Sequence, residues 1–358
     1  MTLGSALEEI SACATELDRR PRFPREGFEL LWRAGVPQLA AERGRGDLRR
    51  EIALVRALAR ADASSARILD GHFNGVERLA LCASRGLRDR ELELVRAGEL
   101  LVGVWGADPA PGEGAPARIE RSDERTLVLR GVKTFCSGAG GVQRALVVAR
   151  DERGARRLAY VDTTGSLEID RGWYRASGLR SSESHRVEFH DTPVLAVLGG
   201  EDELMREPWL SRDAVRTAAT WAGIADCIVL AALAALCQSK PDELRLHALG
   251  RMRVAQASID RWLEHTGRRL DDLEGLDVGP PHDGAARSRA LAGECRVALA
   301  ESARVIAAEA ARACGSRALV VGGTLDRARR DLDLFLLQHR LEPKLVEIGR
   351  ETLRDGAR

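Results

Sequence analysis

The sequence predicts an α+β protein in three consecutive parts. These are an N-terminal α-helical domain over residues 1–98, a central antiparallel β-barrel or sandwich over 99–205, and a C-terminal four-helix bundle over 206–358. Three observations carry this reading. Apolar residues recur at three- and four-residue intervals in the first and last parts. Short alternating apolar runs, spaced roughly ten residues apart, fill the middle. No helix of useful length fits between those runs, which disfavours a parallel dinucleotide-binding sheet.

The first twenty residues, MTLGSALEEISACATELDRR, read as an acidic amphipathic helix. They lack the basic start and apolar core of a secretory signal. Pro21, Pro24 and Pro37 punctuate the next segment. In EIALVRALARADASSARIL, residues Ile52, Val55, Leu58 and Ala59 fall on one helical face. The middle part carries the runs ELLVGVW, RTLVLRG, RALVVAR, RRLAYVD and HRVEFHD, separated by clusters such as ADPAPGEGAP and DERGAR. The last part predicts helices over about 208–238, 242–274 and 285–313, with the loop GLDVGPPHDG between the second and third. Shorter helices come after Gly322-Gly323, the last ending near Leu353. The apolar run CIVLAALAALC, 227–237, is too short for a bilayer and comes directly after Asp226, so it reads as a buried helix and no membrane partner is expected.

Composition narrows the function classes. With 44% hydrophobic and 30% charged residues the chain is of ordinary globular type rather than disordered. A net charge of +1 provides no global field toward nucleic acid or anionic lipid, so no nucleic-acid partner is expected. Lysine occurs only at 133, 240 and 344, a bias that with the abundant Ala and Gly fits a GC-rich genome better than an arginine-based function. Cysteines 13, 82, 136, 227, 237, 295 and 314 are odd in number and form no C-x-x-C. That argues against a disulfide framework or structural zinc and for a reducing, cytoplasmic location. His185 and His190 flank a strand on opposite faces, and no carboxylate–His cluster has metal spacing, so no metal is expected. No G-x-S-x-G elbow occurs.

Several short motifs have both a bland and a functional reading. SGAGGV, 137–142, is a turn between strands whose glycines allow a flat ligand to come close. Gly322-Gly323-Thr324 precedes a helix that Thr324 can cap, with free N–H groups suited to an anion. Asp331, in RARRDLDLF, reads as an ion-paired helix residue. Trp105, next to Gly106, closes an apolar strand as core or as a cofactor platform.

Taken together, the α–β–α order and five motifs resemble the acyl-CoA dehydrogenase superfamily of flavoproteins. GVKTFCSGA, 131–139, is similar to the family strand G-x-K-x-W-I-(S/T)-x-(G/A), with Phe135 at the Trp position, Cys136 at the Ile position and Ser137 at the hydroxyl position. GLRSSESHRVEFHDTPV, 178–194, resembles the strand that ends the family's β domain. WLSRDAVRTAATWAGIA, 209–225, resembles its first bundle helix, with Arg216 on the family arginine. ACGSRALVVGG, 313–323, with the RRD at 329–331, resembles the segment that meets the flavin's diphosphate or ribityl chain, which makes Gly322 and Gly323 cofactor candidates. VEIGRETL, 346–353, resembles the C-terminal helix. The resemblance covers nearly the whole chain. It implies FAD between the β domain and the bundle, with the Ser137 hydroxyl at the reactive edge of the ring. It also implies a homodimer or homotetramer, an acyl thioester substrate carried on CoA or a carrier protein, and electron-transfer flavoprotein as electron acceptor.

The departures bear on mechanism. The family's α-proton-abstracting Glu precedes Gly after the RD; here the segment is LDLFLLQHRLEP, with Gln338 and His339 near the position. In a minority of members the Glu directly precedes the bundle arginine, where this chain has Val215. Asp213 and Glu342 are nearby in sequence without matching a motif. VWGADPAPGEG, 104–114, replaces the family's T-E-x-x-x-G-S-D, so Trp105 and Gly106 become candidates for contact with the flavin. A branch of flavin-dependent monooxygenases shares the fold, uses FAD or FMN supplied reduced by a flavin reductase, and in some members employs two histidines. His72, in ILDGHFNGV, and His339 stand in comparable places, as a proton-shuttling pair or as a helix histidine and a helix cap. The expected function is α,β-dehydrogenation of an acyl thioester with His339 as substitute base. The alternatives are two-component monooxygenation and a non-catalytic relative that binds an acyl carrier or partner.

Overall fold

A computed structural model describes residues 1–42, 47–123, 126–165, 167–238, 240–274 and 283–356. Helices α1 (Leu3–Arg19), α2 (Arg25–Arg33), α3 (Asp47–Ala61), α4 (Ala63–Cys82) and α5 (Arg85–Ala97) come first. Their ends reflect local chemistry. Thr2 Oγ1 accepts the Ser5 N–H ahead of α1, Asp62 accepts the Ser65 N–H at 2.7 Å ahead of α4, and α5 stops at Gly98 in the left-handed region.

Strands β1 (Val102–Trp105), β2 (Arg118–Arg121), β3 (Leu127–Cys136), β4 (Arg144–Arg150), β5 (Arg156–Asp162), β6 (Glu168–Asp170) and β7 (His185–Leu198) form one sheet. The pairing runs from β4 through β2, β3, β7 and β5 and returns to β4. Most pairs are antiparallel, but β1 lies parallel to β4, with Val102 opposite Arg144. The sheet is therefore mixed rather than wholly antiparallel. The excursion through β2 and β3 is long enough to bring the chain back beside β1 in the same direction.

Helices α6 (Trp209–Leu236), α7 (Glu243–Glu274), α8 (Asp283–Cys314), α9 (Thr324–Gln338) and α10 (Glu342–Gly356) complete the described chain. Residues 275–282 of the predicted loop lie outside the described residues. Helix α6 is long and apolar enough to cross a membrane, and it is mostly buried against α3, α7, α8 and α9, which accounts for its composition. Gly223 makes the α3 contact possible, since a Cβ there would run into the Arg56 carbonyl. The change from helix to strand falls between Ala97 and Val102, and the change back between Leu198 and Trp209. Buried apolar residues of all three parts, from Ile10 through Leu146 to Phe335, belong to one continuous core.

Candidate functional site

Two clusters of chemically equipped side chains stand out, one at the turn after β3 and one that includes residues of α4. The first is the turn after β3. Phe135 adopts φ +51°, a region that costs a bulky residue on the order of 1 kcal/mol and that recurs at functional sites. The twist presents its ring outward, 44% exposed, edge-on to Trp173 at 4.9 Å between centroids. Next, Cys136 turns fully inward, and burial drives its thiol pKa upward. Ser137 Oγ lies 2.9 Å from Ser184 Oγ, which lies 2.7 Å from Ser182 Oγ, a hydroxyl chain along the edge of the turn. The Tyr174 phenol closes it: its ring is 6.4 Å from Phe135, and its hydroxyl donates to the Gly178 and Leu179 carbonyls.

Trp105 stands beneath this turn. Its ring is completely buried and its indole N–H donates to the Ser137 carbonyl at 3.0 Å. It is core that props the turn, not a platform for a flat ligand. Gly106 accepts the Lys133 ammonium through its carbonyl at 3.1 Å, while Lys133 also pairs with Asp108 at 2.6 Å.

The second cluster lies where α4, α6, α8 and the end of α9 pack together. The Asp70 carboxylate accepts from Arg67 at 3.0 Å and Thr217 Oγ1 at 2.9 Å through one oxygen; the other oxygen is buried without a partner. Burial, and then the charge of Asp213, push its pKa up to about 6. Asp213 is raised for the same first reason. His339 sits 5.4 Å from the Trp221 ring and 5.2 Å from Phe335. Burial, then the nearby Arg296 and Arg67, hold its pKa well below the ordinary imidazole value, so the ring is neutral near pH 7. The Arg67 guanidinium lies over Phe335 and the Arg296 guanidinium over Trp221, at 5.7 and 5.3 Å. Arg67 also acts electrostatically on Tyr174, which links the two clusters.

The remaining sequence candidates fall elsewhere. In His72, Nδ1 accepts the Val102 N–H at 3.1 Å and Nε2 donates to the Pro37 carbonyl at 3.0 Å. Burial lowers its pKa to about 4. With both ring nitrogens committed to backbone, it ties α4 to β1 and cannot shuttle protons with His339. Arg216 is fully buried and paired with Glu51 at 2.6 Å and Glu77 at 2.7 Å, so it locks α6 to α3 and α4. Gly322 borders a groove of about 580 Å³ with Arg19, Arg180, Arg330 and Tyr174, and Gly323 does not line it.

Three local expectations change with the structure. Gly323, not Thr324, is the cap of α9, and the Asp326 carboxylate takes the Gly322 N–H at 3.4 Å, supplying the negative charge expected from a ligand. Asp331 accepts the Leu179 N–H at 2.6 Å instead of pairing with the flanking arginines, and burial pushes its pKa up to about 7. Gly178 permits this approach, because a Cβ there would strike the Arg330 backbone. A carboxylate–His cluster also exists on the surface. The β6–β7 register sets Glu168 opposite Glu188, and His190 lies 3.0 Å from Glu168. It is exposed and forms ion pairs, and sequence spacing missed it because the members come from two strands.

Sequence reasoning did not single out Arg67, Asp70, Tyr174, Trp221 or Arg296. The available signal was charge on otherwise apolar helical faces, as in ILDGHF and GECRVALA.

No family model and no curated protein matches the chain. Solved structures do, over nearly the full length. TdsC from Paenibacillus sp. A11-2, a dibenzothiophene monooxygenase solved with FMN and indole, shares 18% identity over 98% of this chain and 96% of that one, with a TM-score of 0.87. Methanesulfinate monooxygenase MsuC from Pseudomonas fluorescens shares 20% over 98% and 95%, at 0.84. KijD3, in complex with FMN and a dTDP-amino-keto-sugar, shares 21% over 98% and 92%, at 0.85. The chain thus has the α+β fold of these proteins, two of which were solved with FMN.

Proposed function

We propose that the protein is a flavin-dependent monooxygenase that takes reduced flavin from a separate reductase and oxidises a small molecule beside the cluster where α4, α6, α8 and α9 pack together. The residues of the β3–β4 turn suit a flavin. Phe135 offers an exposed ring to a flat face, the Ser137 hydroxyl can donate to a ring nitrogen or oxygen, and the Ser182–Ser184 pair supports it. When bound, the flavin would supply two-electron redox chemistry. The neighbours solved with FMN favour FMN over FAD as that flavin.

The observation that carries the monooxygenase reading is the state of His339. It stands where the resemblance expects the α-proton-abstracting Glu, and Val215, at the alternative position, is fully buried. A neutral imidazole beside two guanidiniums is a poor base toward a C–H bond but can pass a proton to or from an oxygen atom near neutral pH. Trp221 and Phe335 flank that ring. Dehydrogenation of an acyl thioester is the second reading. It is favoured by the carboxylates of Asp70 and Asp213, which belong to the same cluster.

The test is flavin binding and then turnover. Reduced FMN should bind more tightly than oxidised FMN, and products should form only with oxygen and a reductase. Tightly held oxidised FAD, bleached anaerobically by an acyl thioester, would replace this reading with the dehydrogenase.

A further inference from the structure

The turn after β3 is held by a strap, residues 171–184, that links β6 to β7 and bonds to α1 and α9. The Ser182 carbonyl accepts the Gly138 N–H at 2.8 Å, and the Glu183 carbonyl accepts the Ala139 N–H at 3.1 Å. Together with the Ser182–Ser184–Ser137 hydroxyls, these bonds order the backbone of the turn and the Ser137 side chain. The strap does not take its shape by local preference. Leu179 at φ +49° and Glu183 at φ +48° both lie in the left-handed region, which disfavours residues with a Cβ. Such residues persist where their surroundings over-determine them.

The Leu179 peptide is the node of this arrangement. Its carbonyl is taken up inside the strap, by the Tyr174 phenol at 3.3 Å and the Ser182 N–H at 3.0 Å. Its N–H is taken by the Asp331 carboxylate of α9 at 2.6 Å. Among the described residues, Asp331 is the only group outside the strap that bonds to this peptide. The bonds to α1 are made further along, from Arg180 to the Asp18 carbonyl and from Ser181 to the Leu17 carbonyl. Asp331 is almost fully buried, and a carboxylate in such a place bears a desolvation cost that an apolar side chain avoids. Two bonded paths lead from it to the turn. One runs through Leu179 and Tyr174 to the Phe135 ring, the other through Leu179, Ser182 and Ser184 to Ser137.

We propose that Asp331 is a positioning residue for the β3–β4 turn: by fixing the Leu179 peptide from α9 it sets where Phe135 and the Ser137 hydroxyl stand. Its consequence for flavin rests on the reading of that turn given above. His339 is the C-cap of the same helix, so α9 ties the turn to the second cluster.

Hydrogen exchange of the full-length protein, read by mass spectrometry, compares peptides spanning 137–142 with peptides from α7. Asp331→Leu removes the acceptor. It should speed exchange in 137–142 about five- to tenfold, the net worth of one hydrogen bond, and leave α7 within about twofold. An anchor that served only overall stability would speed both regions together. Asp331→Asn keeps an acceptor oxygen and should exchange like wild type. Equal acceleration in both regions, no acceleration in 137–142, or an Asp331→Asn variant as fast as Asp331→Leu overturns the proposal. Reduced FMN is titrated against the same proteins. Affinity about tenfold weaker in Asp331→Leu and close to wild type in Asp331→Asn supports both the positioning role and the flavin reading. If exchange changes as expected while FMN affinity does not, or FMN fails to bind, the flavin reading of the turn fails and the positioning role stands. Should Asp331→Leu not fold, Tyr174→Phe interrupts the same path one bond further on. Faster exchange in 137–142 with α7 unchanged then supports the link, and unchanged exchange overturns it.

Discussion

Two histidines, at the middle of α4 and at the end of α9, look equivalent in sequence: each comes after apolar helix residues, and each has a depressed pKa caused first by burial. Their partners differ completely. His72 commits both ring nitrogens to the backbone of Val102 and Pro37. His339 is bounded by two aromatic rings and two guanidiniums, and among the described residues its ring makes no hydrogen bond to backbone. Burial alone therefore does not distinguish a structural from a reactive imidazole. The distinction lies in whether the ring nitrogens are already satisfied.

The sharpest way to break this comparison is to remove each ring in turn. His339→Gln should lower turnover by about 10²–10⁴-fold, the usual contribution of a positioned proton-transfer group, with little change in melting temperature. Turnover close to wild type in that variant would return His339 to a packing role. His72→Gln should act in the opposite sense, leaving the chemistry of folded protein intact and lowering stability through the lost backbone bonds, about 1–3 kcal/mol for each group left unsatisfied.

The acid limb of the stability curve sharpens the same contrast. His72 is neutral in the folded state down to about pH 4 and ionises near 6.5 when unfolded. The unfolded state therefore binds the extra proton first as pH falls. The stability held above pH 6.5 is lost progressively between 6.5 and about 4, by on the order of 3 kcal/mol at the lower end. Asp70 works against this trend: its raised pKa lets the folded state take a proton first, so stability is regained as pH falls from about 6 to below 4. Denaturant titrations at intervals from pH 7.5 to 4 should show a loss that flattens in His72→Gln and steepens in Asp70→Asn. An acid limb identical in all three proteins would refute the assignment of these groups.

Much of the architecture is legible in the sequence because it rests on local signals. Helix α6, expected at about 208–238, runs over Trp209–Leu236, and the GVKTFC strand ends as β3 at Cys136. Strands β2 and β6 are not legible in this way. RIER and EID are short, polar and largely exposed, and they are strands only because β3 and β7 supply their hydrogen bonds. The parallel pairing of β1 likewise depends on a partner about forty residues away. In the candidate site, the turn at Phe135–Ser137 is readable as contiguous sequence. The second cluster is not, because Asp70, Asp213, Arg296 and His339 come from four helices or their ends and meet only when those helices pack. His72 and Arg216 mislead for the matching reason, since their partners Val102, Pro37, Glu51 and Glu77 are remote in sequence.

The smallest effect tests the region that the sequence showed best. Ser137 Oγ bonds to Ser184 and is half-buried, so removing it leaves Ser184 a second partner in Ser182. Ser137→Ala should therefore cost the free protein little stability. If the hydroxyl faces a flavin, the loss appears on binding instead, as roughly a three- to tenfold weaker affinity for reduced FMN, the contribution of one ordinary hydrogen bond. Ser184→Ala breaks the hydroxyl chain while leaving Ser137 in place, and its effect on flavin affinity should be smaller. Equal losses in both variants would mean that the chain acts as one unit. No loss in either would move the flavin away from this turn while leaving the His339 cluster untouched.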